Sequence, residues 1–240
     1  MKILVVEDDT ATAKTVKDSL TAHSHVVEVA TDGADGSFMG RSYDYDAIIL
    51  DYSMPKKDGL SVCKEIRASG KTTPIIFLSM NSETDLKINA LESGADDYMI
   101  KPFSMEELHS RLRAIVRRPT NQKINILRVD DLSMDVDRNI VMRGKSKIDL
   151  TNKEFCLLEY LMRNAGIVLS RGMILEHVWT ADMDPFSNTV ETHMRYVKKK
   201  ICPGNKPNLI ENIQSRGYVI DIPANLSKLS RVRGKSRSRR

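Results

Sequence analysis

Residues 47–59 read AIILDYSMPKKDG, and this stretch decides the fold of the first half of the chain. A short aliphatic run bounded by turn signals is typical of a strand in a parallel sheet that is covered on both faces. Asp51 then lies at the carboxyl end of that strand. Ligands bind at this edge of open α/β sheets, because the loops that leave the strands line a crevice there. The stretch therefore predicts a ligand site at Asp51.

Apolar strands alternate with amphipathic helical patterns on both sides of this stretch. The predicted strands are 2–6, 26–29, 47–50, 75–79 and 98–100, and the predicted helices are 10–22, 33–41, 59–68, 83–92 and 104–117. Ser104 and Glu107 have the spacing of a capping box at the start of the last helix. Five strands and five helices in alternation predict a doubly wound α/β domain with strand order 2-1-3-4-5.

A different pattern follows the polar, proline-containing stretch 117–122. Short alternating segments predict a small antiparallel sheet within 124–150. Helices are predicted at 151–164, 171–179 and 189–201, the first and third with Thr-x-x-Glu and Asn-x-x-Glu capping forms, and a hairpin at 210–213 and 218–222. We therefore predict domains at 1–118 and 124–222, a linker at 119–123 and a basic tail at 223–240.

Charge is divided unequally between the two predicted domains. Residues 1–118 contain 15 basic and 19 acidic residues, a net charge of −4, whereas residues 119–240 contain 22 and 13, a net charge of +9. An acidic front half and a basic back half predict that the second module meets a polyanion. The apolar runs are only strand-sized, which predicts no membrane span, and the first run is too short for a secretory signal. Three widely spaced cysteines fit plain thiols in a reducing compartment, so we expect a cytoplasmic protein.

Polar residues lie at or just after four of the predicted strand ends: Glu7 and Asp8, then Asp51, Ser79 and Lys101. Packed carboxylates raise one another's pKa unless a cation joins them, and Mg²⁺ is the hard cation that suits oxygen ligands. One carboxylate can then act as a nucleophile toward phosphorus, with the lysine and the serine hydroxyl contacting the phosphoryl group. Taken singly, an acid after a strand is as often a helix cap, and a lone Lys-Pro is usually a surface turn. The occurrence of all these residues at the ends of four strands favours a functional site.

The segments VVEDD (5–9), ILDYSMPKKDG (49–59), PIIFLS (74–79) and GADDYMIKPF (94–103) together resemble the receiver domain of two-component response regulators. The resemblance implies that Asp51 is the phosphoacceptor and that self-phosphorylation with Mg²⁺ is the only chemistry, so the protein is not an enzyme acting on external substrates. It also implies a sensor histidine kinase or phosphotransfer protein as phosphoryl donor. The implied roles are metal binding for Glu7, Asp8, Asp51 and the Ser53 carbonyl, phosphate contact for Lys101 before a cis peptide bond, and switching for Ser79 and Tyr98. In that switch Ser79 moves toward the phosphoryl group and the Tyr98 ring fills the space from the surface. Met80 departs from the small residue usual at its position.

The predicted helix 189–201 has two different faces. Val190, Met194, Val197 and Ile201 recur at helical spacing and predict a core-facing stripe. The other side carries Asn188, Thr192, Arg195, Tyr196 and Lys199, with Lys198 at its edge. Arg and Asn can address base edges and Lys can meet phosphates, although a solvated helix face has the same pattern.

The segments LTNKEFCLLEYL (150–161), LSRGMILEHVW (169–179), NTVETHMRYVKKKI (188–201) and SRGYVI (215–220) resemble, in that order, the winged-helix effector domain of the OmpR/PhoB family. The resemblance implies that 189–201 is the recognition helix, that 214–218 is the wing, and that double-stranded DNA is the partner, with RNA polymerase as a further one. His193, Arg195, Tyr196 and Lys198 occupy positions where members of that family contact DNA. Gln214 holds the wing position where the family has arginine, and Arg216 is the arginine here. EDDTATA (7–13), YDYDAIILD (43–51) and AIVRR (114–118) resemble the alphaproteobacterial cell-cycle branch.

The family resemblance also implies a homodimer that forms on phosphorylation and binds repeat DNA sites. In the family the dimer face is made by the elements that match helix 83–92, the fifth strand and the last helix here. The matching cross-subunit pairs are Lys87 with Glu107, Asp97 with Arg111, and Asp96 with Arg118. Two other readings are open. An aspartyl-phosphate phosphatase would need a second acid two positions after the nucleophile, where this chain has Ser53. An RNA reader would favour aromatic stacking surfaces, and aromatic residues are 5% of the chain.

Overall fold

The computed structural model describes residues 1–116, 126–180, 187–202, 206–222 and 225. The chain divides into two compact units, 1–121 and 122–240, and each is described by itself. The predicted linker 119–123 lies outside the described residues, as does the predicted tail except for Asn225. In the described part of the chain, no helix is both long and apolar enough to cross a bilayer.

The first unit is a parallel sheet with helices on both faces. Its strands are β1 (Lys2–Val6), β2 (Val26–Ala30), β3 (Ala47–Asp51), β4 (Ile75–Ser79) and β5 (Asp97–Ile100). Its helices are α1 (Thr10–Ala22), α2 (Gly33–Ser42), α3 (Gly59–Ala68), α4 (Thr84–Glu92) and α5 (Met105–Val116). The strand order β2-β1-β3-β4-β5, all parallel, confirms the predicted topology.

The two faces of this sheet bury separate apolar clusters. Successive residues of a strand point to opposite faces, so Leu4 and Leu50 belong to one cluster while Ile3 and Ile49 belong to the other. All five residues of β3 are buried, which is why its sequence shows no alternation. Full burial of one such aliphatic side chain stabilises the fold by about 1.5–3 kcal/mol. The covered faces leave the carboxyl ends of the strands as the place where polar side chains gather.

In its described residues, the second unit combines an antiparallel sheet, three helices and a hairpin. The sheet consists of β6 (Ile126–Val129), β7 (Leu132–Asp135), β8 (Ile140–Arg143) and β9 (Ser146–Ile148), paired in chain order. The helices are α6 (Asn152–Arg163), α7 (Arg171–Val178) and α8 (Thr189–Ile201). Strands β10 (Ile210–Ile213) and β11 (Gly217–Ile220) form the hairpin, and Leu169 bridges to Tyr218 of β11. This is the predicted α+β winged-helix arrangement.

The capping box predicted for α6 is present. The Thr151 backbone N–H donates to the Glu154 carboxylate at 2.7 Å, and the Glu154 N–H donates to the Thr151 hydroxyl at 3.4 Å. These two backbone donors at the helix start are thereby satisfied.

Of the other two predicted capping boxes, the one at Asn188 was wrong and the one at Ser104 is half formed. Asn188 makes no side-chain cap hydrogen bond, and the α8 glutamate at the box position, Glu191, pairs with Arg171 at 3.1 Å. The Ser104 hydroxyl does accept from the Glu107 N–H, but the Glu107 carboxylate pairs with an arginine one turn later in α5. In both cases a cation competes with a backbone N–H for the carboxylate, and hydrogen bonds between two charged groups are the stronger kind.

Candidate phosphoryl-acceptor site and nucleic-acid interface

Three carboxylates converge at the carboxyl edge of the first sheet, as predicted. Glu7 and Asp8 follow β1, Asp51 ends the neighbouring β3, and one oxygen of each lies within 4.8 Å of the others. Glu7 and Asp51 are buried, whereas Asp8 is exposed. The third acid of the same stretch, Asp9, caps α1 instead by accepting from the Thr12 N–H at 2.9 Å. Two of the converging acids are therefore shielded from water, and one is open to it.

Lys101 joins the two buried carboxylates. Its Nζ lies 2.7 Å from Glu7 Oε2 and 2.8 Å from Asp51 Oδ1, and the Lys101–Pro102 peptide bond is cis, as predicted. Burial opposes the charged amine, but the hydrogen bonds to Asp51 and Glu7 outweigh it and raise the pKa of Lys101. Burial also raises the pKa of Glu7, and the charge of Asp51 adds to that effect while the Lys101 hydrogen bond opposes it. The lysine stays charged and offsets part of the negative charge.

The donor set fits a divalent hard cation. When ionised, the three carboxylates and the single ammonium carry a net charge of −2. Oxygen ligands beside open coordination positions suit Mg²⁺, which keeps several of its waters. Ser53, whose carbonyl is the fourth predicted ligand, lies in the exposed loop after β3. Its metal-binding role stays a prediction.

The two predicted switch residues meet at one residue that the sequence analysis missed. The Ser79 Oγ accepts from the Asn81 backbone N–H at 3.1 Å, and the Tyr98 hydroxyl donates to the Asn81 carbonyl at 2.8 Å. Tyr98 is 5% exposed. The expected switch starts with the ring at the surface, whereas here the ring is already buried. The Asn81 carbonyl permits this, because it satisfies a hydroxyl that burial would otherwise leave unpaired. Met80, which departs from the family pattern, is 78% exposed.

The loop after Asp51 is held by ion pairs that the sequence analysis also missed. Lys56 Nζ lies 2.5 Å from Asp32, and Lys57 Nζ lies 2.6 Å from Glu65. These pairs join the loop to the start of α2 and to α3. Complementary charges far apart in the chain give no periodic signal, so only the fold identifies them as partners.

The predicted core stripe of α8 is confirmed. Val190, Met194, Val197 and Ile201 are each 0–1% exposed. The residues predicted to face DNA divide into two groups. Asn188, Arg195, Tyr196, Lys199 and the wing residue Arg216 are exposed, and Thr192 is half-buried. The Arg195 guanidinium lies 5.4 Å from the centroid of the neighbouring Tyr196 ring.

The second group consists of His193 and Lys198, whose side chains contact other residues of the protein. His193 Nδ1 lies 2.9 Å from the Thr189 carbonyl, and its ring packs edge-on against Trp179 at 5.3 Å. Lys198 is half-buried with its Nζ 5.4 Å from the Tyr218 ring centroid. The amphipathic pattern placed Lys198 at the edge of the polar side, and the family resemblance implied DNA contact for both residues, but neither showed these partners.

Ionic contacts hold the C-terminal end of α8. Lys200 Nζ lies 2.6 Å from the buried Glu154 carboxylate of α6. The fully buried Arg143 of β8 donates to the Ile201 carbonyl at 3.2 Å and to the Pro207 carbonyl at 3.0 Å, and its Nε pairs with Asp131. These contacts hold the C-terminal end of α8 against α6 and β8.

The predicted dimer face has exposed apolar residues at its centre. Ile88 and Leu91 of α4 and Ile100 of β5 are 46%, 42% and 43% exposed. Arg111, however, already pairs within the chain, with Asp97 at 3.0 Å and with Glu107 at 2.8 Å.

The remaining charged residues of that face are placed as follows. Asp96 pairs within the chain with Arg67 at 3.0 Å and accepts from the Ile75 N–H at 2.8 Å. Lys87 is exposed, and Arg118 lies outside the described residues. A cross-subunit pair would have to share or replace these contacts within one chain.

Fold and site together define a class: a phosphorylation-activated, DNA-binding transcriptional response regulator. Comparison with known families agrees. The model of the response regulator receiver domain matches residues 3–113, and that of the C-terminal domain of transcriptional regulatory proteins matches residues 144–220.

Individual relatives extend the agreement over both units. The response regulator MprA of Mycobacterium avium is 39% identical over 92% of this chain and 98% of its own length. Protein RcaC of Microchaete diplosiphon is 37% identical over 93% of this chain, which spans 35% of that longer protein. Among solved structures, the OmpR/PhoB homologue DrrB of Thermotoga maritima is 30% identical over 92% of this chain and 98% of its own, with a TM-score of 0.45. The chain belongs to the OmpR/PhoB family of response regulators.

Proposed function

We propose that Asp51 is the phosphoacceptor of this regulator, and that its phosphorylation produces a homodimer which binds repeat sites in double-stranded DNA. One observation carries the proposal: Lys101 bridges Glu7 and Asp51, beside the exposed carboxylate of Asp8. The proposal is supported by a carboxylate oxygen, a positive charge and a set of hard-cation donors that lie together at the carboxyl edge of the sheet.

In the proposed reaction an Asp51 carboxylate oxygen attacks the phosphorus of a phosphohistidine on a sensor kinase or phosphotransfer protein. The P–N bond breaks, an acyl phosphate P–O bond forms, and the imidazole leaves with a proton from solvent. Mg²⁺, held by Glu7, Asp8, Asp51 and the Ser53 carbonyl, would supply charge neutralisation of the phosphoryl group. The Lys101 ammonium contacts a phosphoryl oxygen, and the Ser79 hydroxyl donates to another.

For DNA binding, we propose that α8 enters the major groove as the recognition helix. Arg195 and Asn188 present groups that address base edges, and Lys199 and the wing residue Arg216 meet phosphates. Thr192 and Tyr196 lie on the same face, and His193, which packs against Trp179, would contact DNA from beside them.

Dimerisation would bury the apolar centre of Ile88, Leu91 and Ile100. An exposed ion pair contributes only about 0–1 kcal/mol, so the pairs Lys87–Glu107, Asp97–Arg111 and Asp96–Arg118 would set orientation more than affinity. A dimer presents two recognition helices, which converts weak single-site binding into bivalent binding.

The wider setting is part of the same proposal. The absence of a second acid at Ser53 favours a regulator without turnover of external substrates. Genomic DNA as partner fits a cytoplasmic location, and RNA polymerase is the further partner through which a bound regulator changes transcription.

The test is the mass of the full chain in solution by light scattering, with and without Mg²⁺ plus beryllofluoride. We expect monomer to become dimer only when both are present, and Asp51→Asn to remain monomeric. Asp18→Asn, an exposed acid on α1, is the matched control and should behave as wild type. An Asp51→Asn protein that still dimerises would remove Asp51 from the switch, and a wild type of unchanged mass would remove dimerisation control.

A further inference from the structure

Two neighbouring lysines of α8 lie in different environments. Lys199 is exposed, whereas Lys198 is half-buried with its Nζ 5.4 Å from the centroid of the Tyr218 ring. Burial lowers the pKa of Lys198, and the charge of Glu211 in β10 partly opposes that effect. A cation over the face of an aromatic ring is attracted by the ring's quadrupole, more strongly when water is excluded. Lys198 therefore already has a partner within the protein.

That partner lies at the base of the wing. Strand β11 begins directly after the turn 214–216, and Tyr218 is its second residue. Tyr218 is 9% exposed. It pairs with Asn212 of β10, and its N–H donates to the Leu169 carbonyl at 2.9 Å. The preceding Gly217 has φ +129° and leaves no space for a side chain, since a Cβ would lie 1.9 Å from the Leu169 carbonyl oxygen. The wing base is thus fixed to the body of the unit, and Lys198 connects α8 to it.

We infer that Lys198 is a positioning residue that holds the wing at a set angle to the recognition helix, and that it does not contact a DNA phosphate. The inference rests on the proposed DNA-binding surface and assigns a different role within it to one residue. A lysine that meets a phosphate from solvent displaces a condensed counterion and steepens the salt dependence of binding. A lysine held over a tyrosine ring in both free and bound protein displaces none.

The salt dependence of binding separates these two roles. Lys198→Met and Lys199→Met in the full chain form a matched pair, one residue apart with the same change of charge. Binding to a duplex selected from a random library is measured at several salt concentrations. For Lys199→Met we expect the slope of log K against log salt to become shallower by about 0.9. For Lys198→Met we expect weaker binding with the wild-type slope.

Coupling to the wing provides a readout that general loss of structure does not mimic. Arg216→Ala is introduced into wild type, Lys198→Met and Lys199→Met. We expect Arg216→Ala to weaken binding equally in wild type and Lys199→Met, and to have less than half that effect on log K in Lys198→Met, because the wing is already misplaced there. Lys198→Arg, which keeps a cation over the ring, should restore the wild-type effect.

Two results overturn the inference: a salt slope for Lys198→Met as shallow as that for Lys199→Met, or an undiminished effect of Arg216→Ala in Lys198→Met. Trp179 fluorescence during urea unfolding checks that each variant is folded, and Lys198→Gln replaces Lys198→Met with the same expected outcomes if the latter is not. Failure of the proposed function gives a different result, since wild type would then bind the selected duplex no better than a scrambled one.

Discussion

Three histidines in the first unit illustrate how burial changes a residue's chemistry. His23 follows α1, His25 precedes β2 and His109 lies in α5, with ring centroids 4.0 Å apart for His23–His109 and 5.9 Å for His25–His109. Burial, with nearby positive charge from the N-terminal amine and the other two histidines, lowers the pKa of His25 to about 2. Burial and His23 lower the pKa of His109 to about 4. Both rings are therefore neutral in the folded protein at pH 5.

We predict that the first unit loses stability as pH falls below about 6.5. Unfolded histidines take up protons near that pH, whereas folded His25 and His109 do not, so protons favour the unfolded chain. Below about pH 6.5 each of these histidines lowers the free energy of unfolding by about 1.4 kcal/mol per pH unit. For His109 this loss ends near pH 4, where the folded residue also takes up a proton. Thermal unfolding by circular dichroism at pH 7 and pH 5 measures the loss.

A double variant, His25→Leu with His109→Leu, is the comparison for this prediction. Its melting temperature should depend less on pH than that of wild type over the same interval. His177→Leu, a histidine stacked on Tyr160 in the second unit, is the control and should leave the first unit's profile unchanged. Equal pH profiles for the double variant and wild type would contradict the assignment.

Helix starts in the second unit show that one sequence pattern has two structural outcomes. Thr151 and Asn188 both precede a glutamate by three residues, but only Thr151 forms the capping box. We predict that Thr151→Ala lowers the free energy of unfolding by about 1 kcal/mol. Asn188→Ala should change it by less than about 0.5 kcal/mol, because no side-chain cap bond is lost.

Urea unfolding followed by Trp179 fluorescence measures both variants. Trp179 is the chain's single tryptophan and is buried in the second unit, so it reports on that unit alone. Equal losses for the two variants would mean that Asn188 caps α8 in solution. In DNA binding the order should reverse, since Asn188 lies on the exposed end of the proposed recognition helix and Thr151 does not.

At the scale of the whole molecule, the proposed binding to repeat DNA sites requires the proposed dimer of the first unit. We predict that Leu91→Asp keeps the full chain monomeric with Mg²⁺ and beryllofluoride, because a carboxylate in the apolar centre of the α4–β5 face would be buried without a partner. Phe38→Asp, at a residue 56% exposed on α2, is the matched control and should still dimerise. Light scattering measures both, and a dimeric Leu91→Asp protein would place the interface elsewhere.

The loss of dimerisation in Leu91→Asp should also change the affinity for a duplex that contains two binding sites. Leu91→Asp should bind it with nearly the single-site affinity of wild type, because the bivalent gain is lost while α8 is unchanged. Weakened single-site binding by Leu91→Asp would instead indicate that the substitution disturbs more than association.

Both folds and the acidic pocket were determined by the sequence itself. Buried parallel strands require continuous apolar runs, and strand order then brings their terminal residues together, so the positions of Glu7, Asp8, Asp51 and Lys101 in the chain were enough to predict that they share one edge. The core stripe of α8 followed from a helical period in the same way. These features depend on local periodicity and on general rules of topology.

Only the tertiary structure decided which polar groups are partners. The Asn81 contact to Tyr98, the Arg171 partner of Glu191 and the Tyr218 ring beneath Lys198 depend on side-chain directions between different elements. Glu107 instead had two local partners available, the backbone at the start of α5 and Arg111 one turn later. A polar residue at a helix surface has many available partners, and the free energies of the alternative pairings differ by about 1 kcal/mol or less. Periodicity determines which face a residue lies on, but only packing determines the atoms that it meets there.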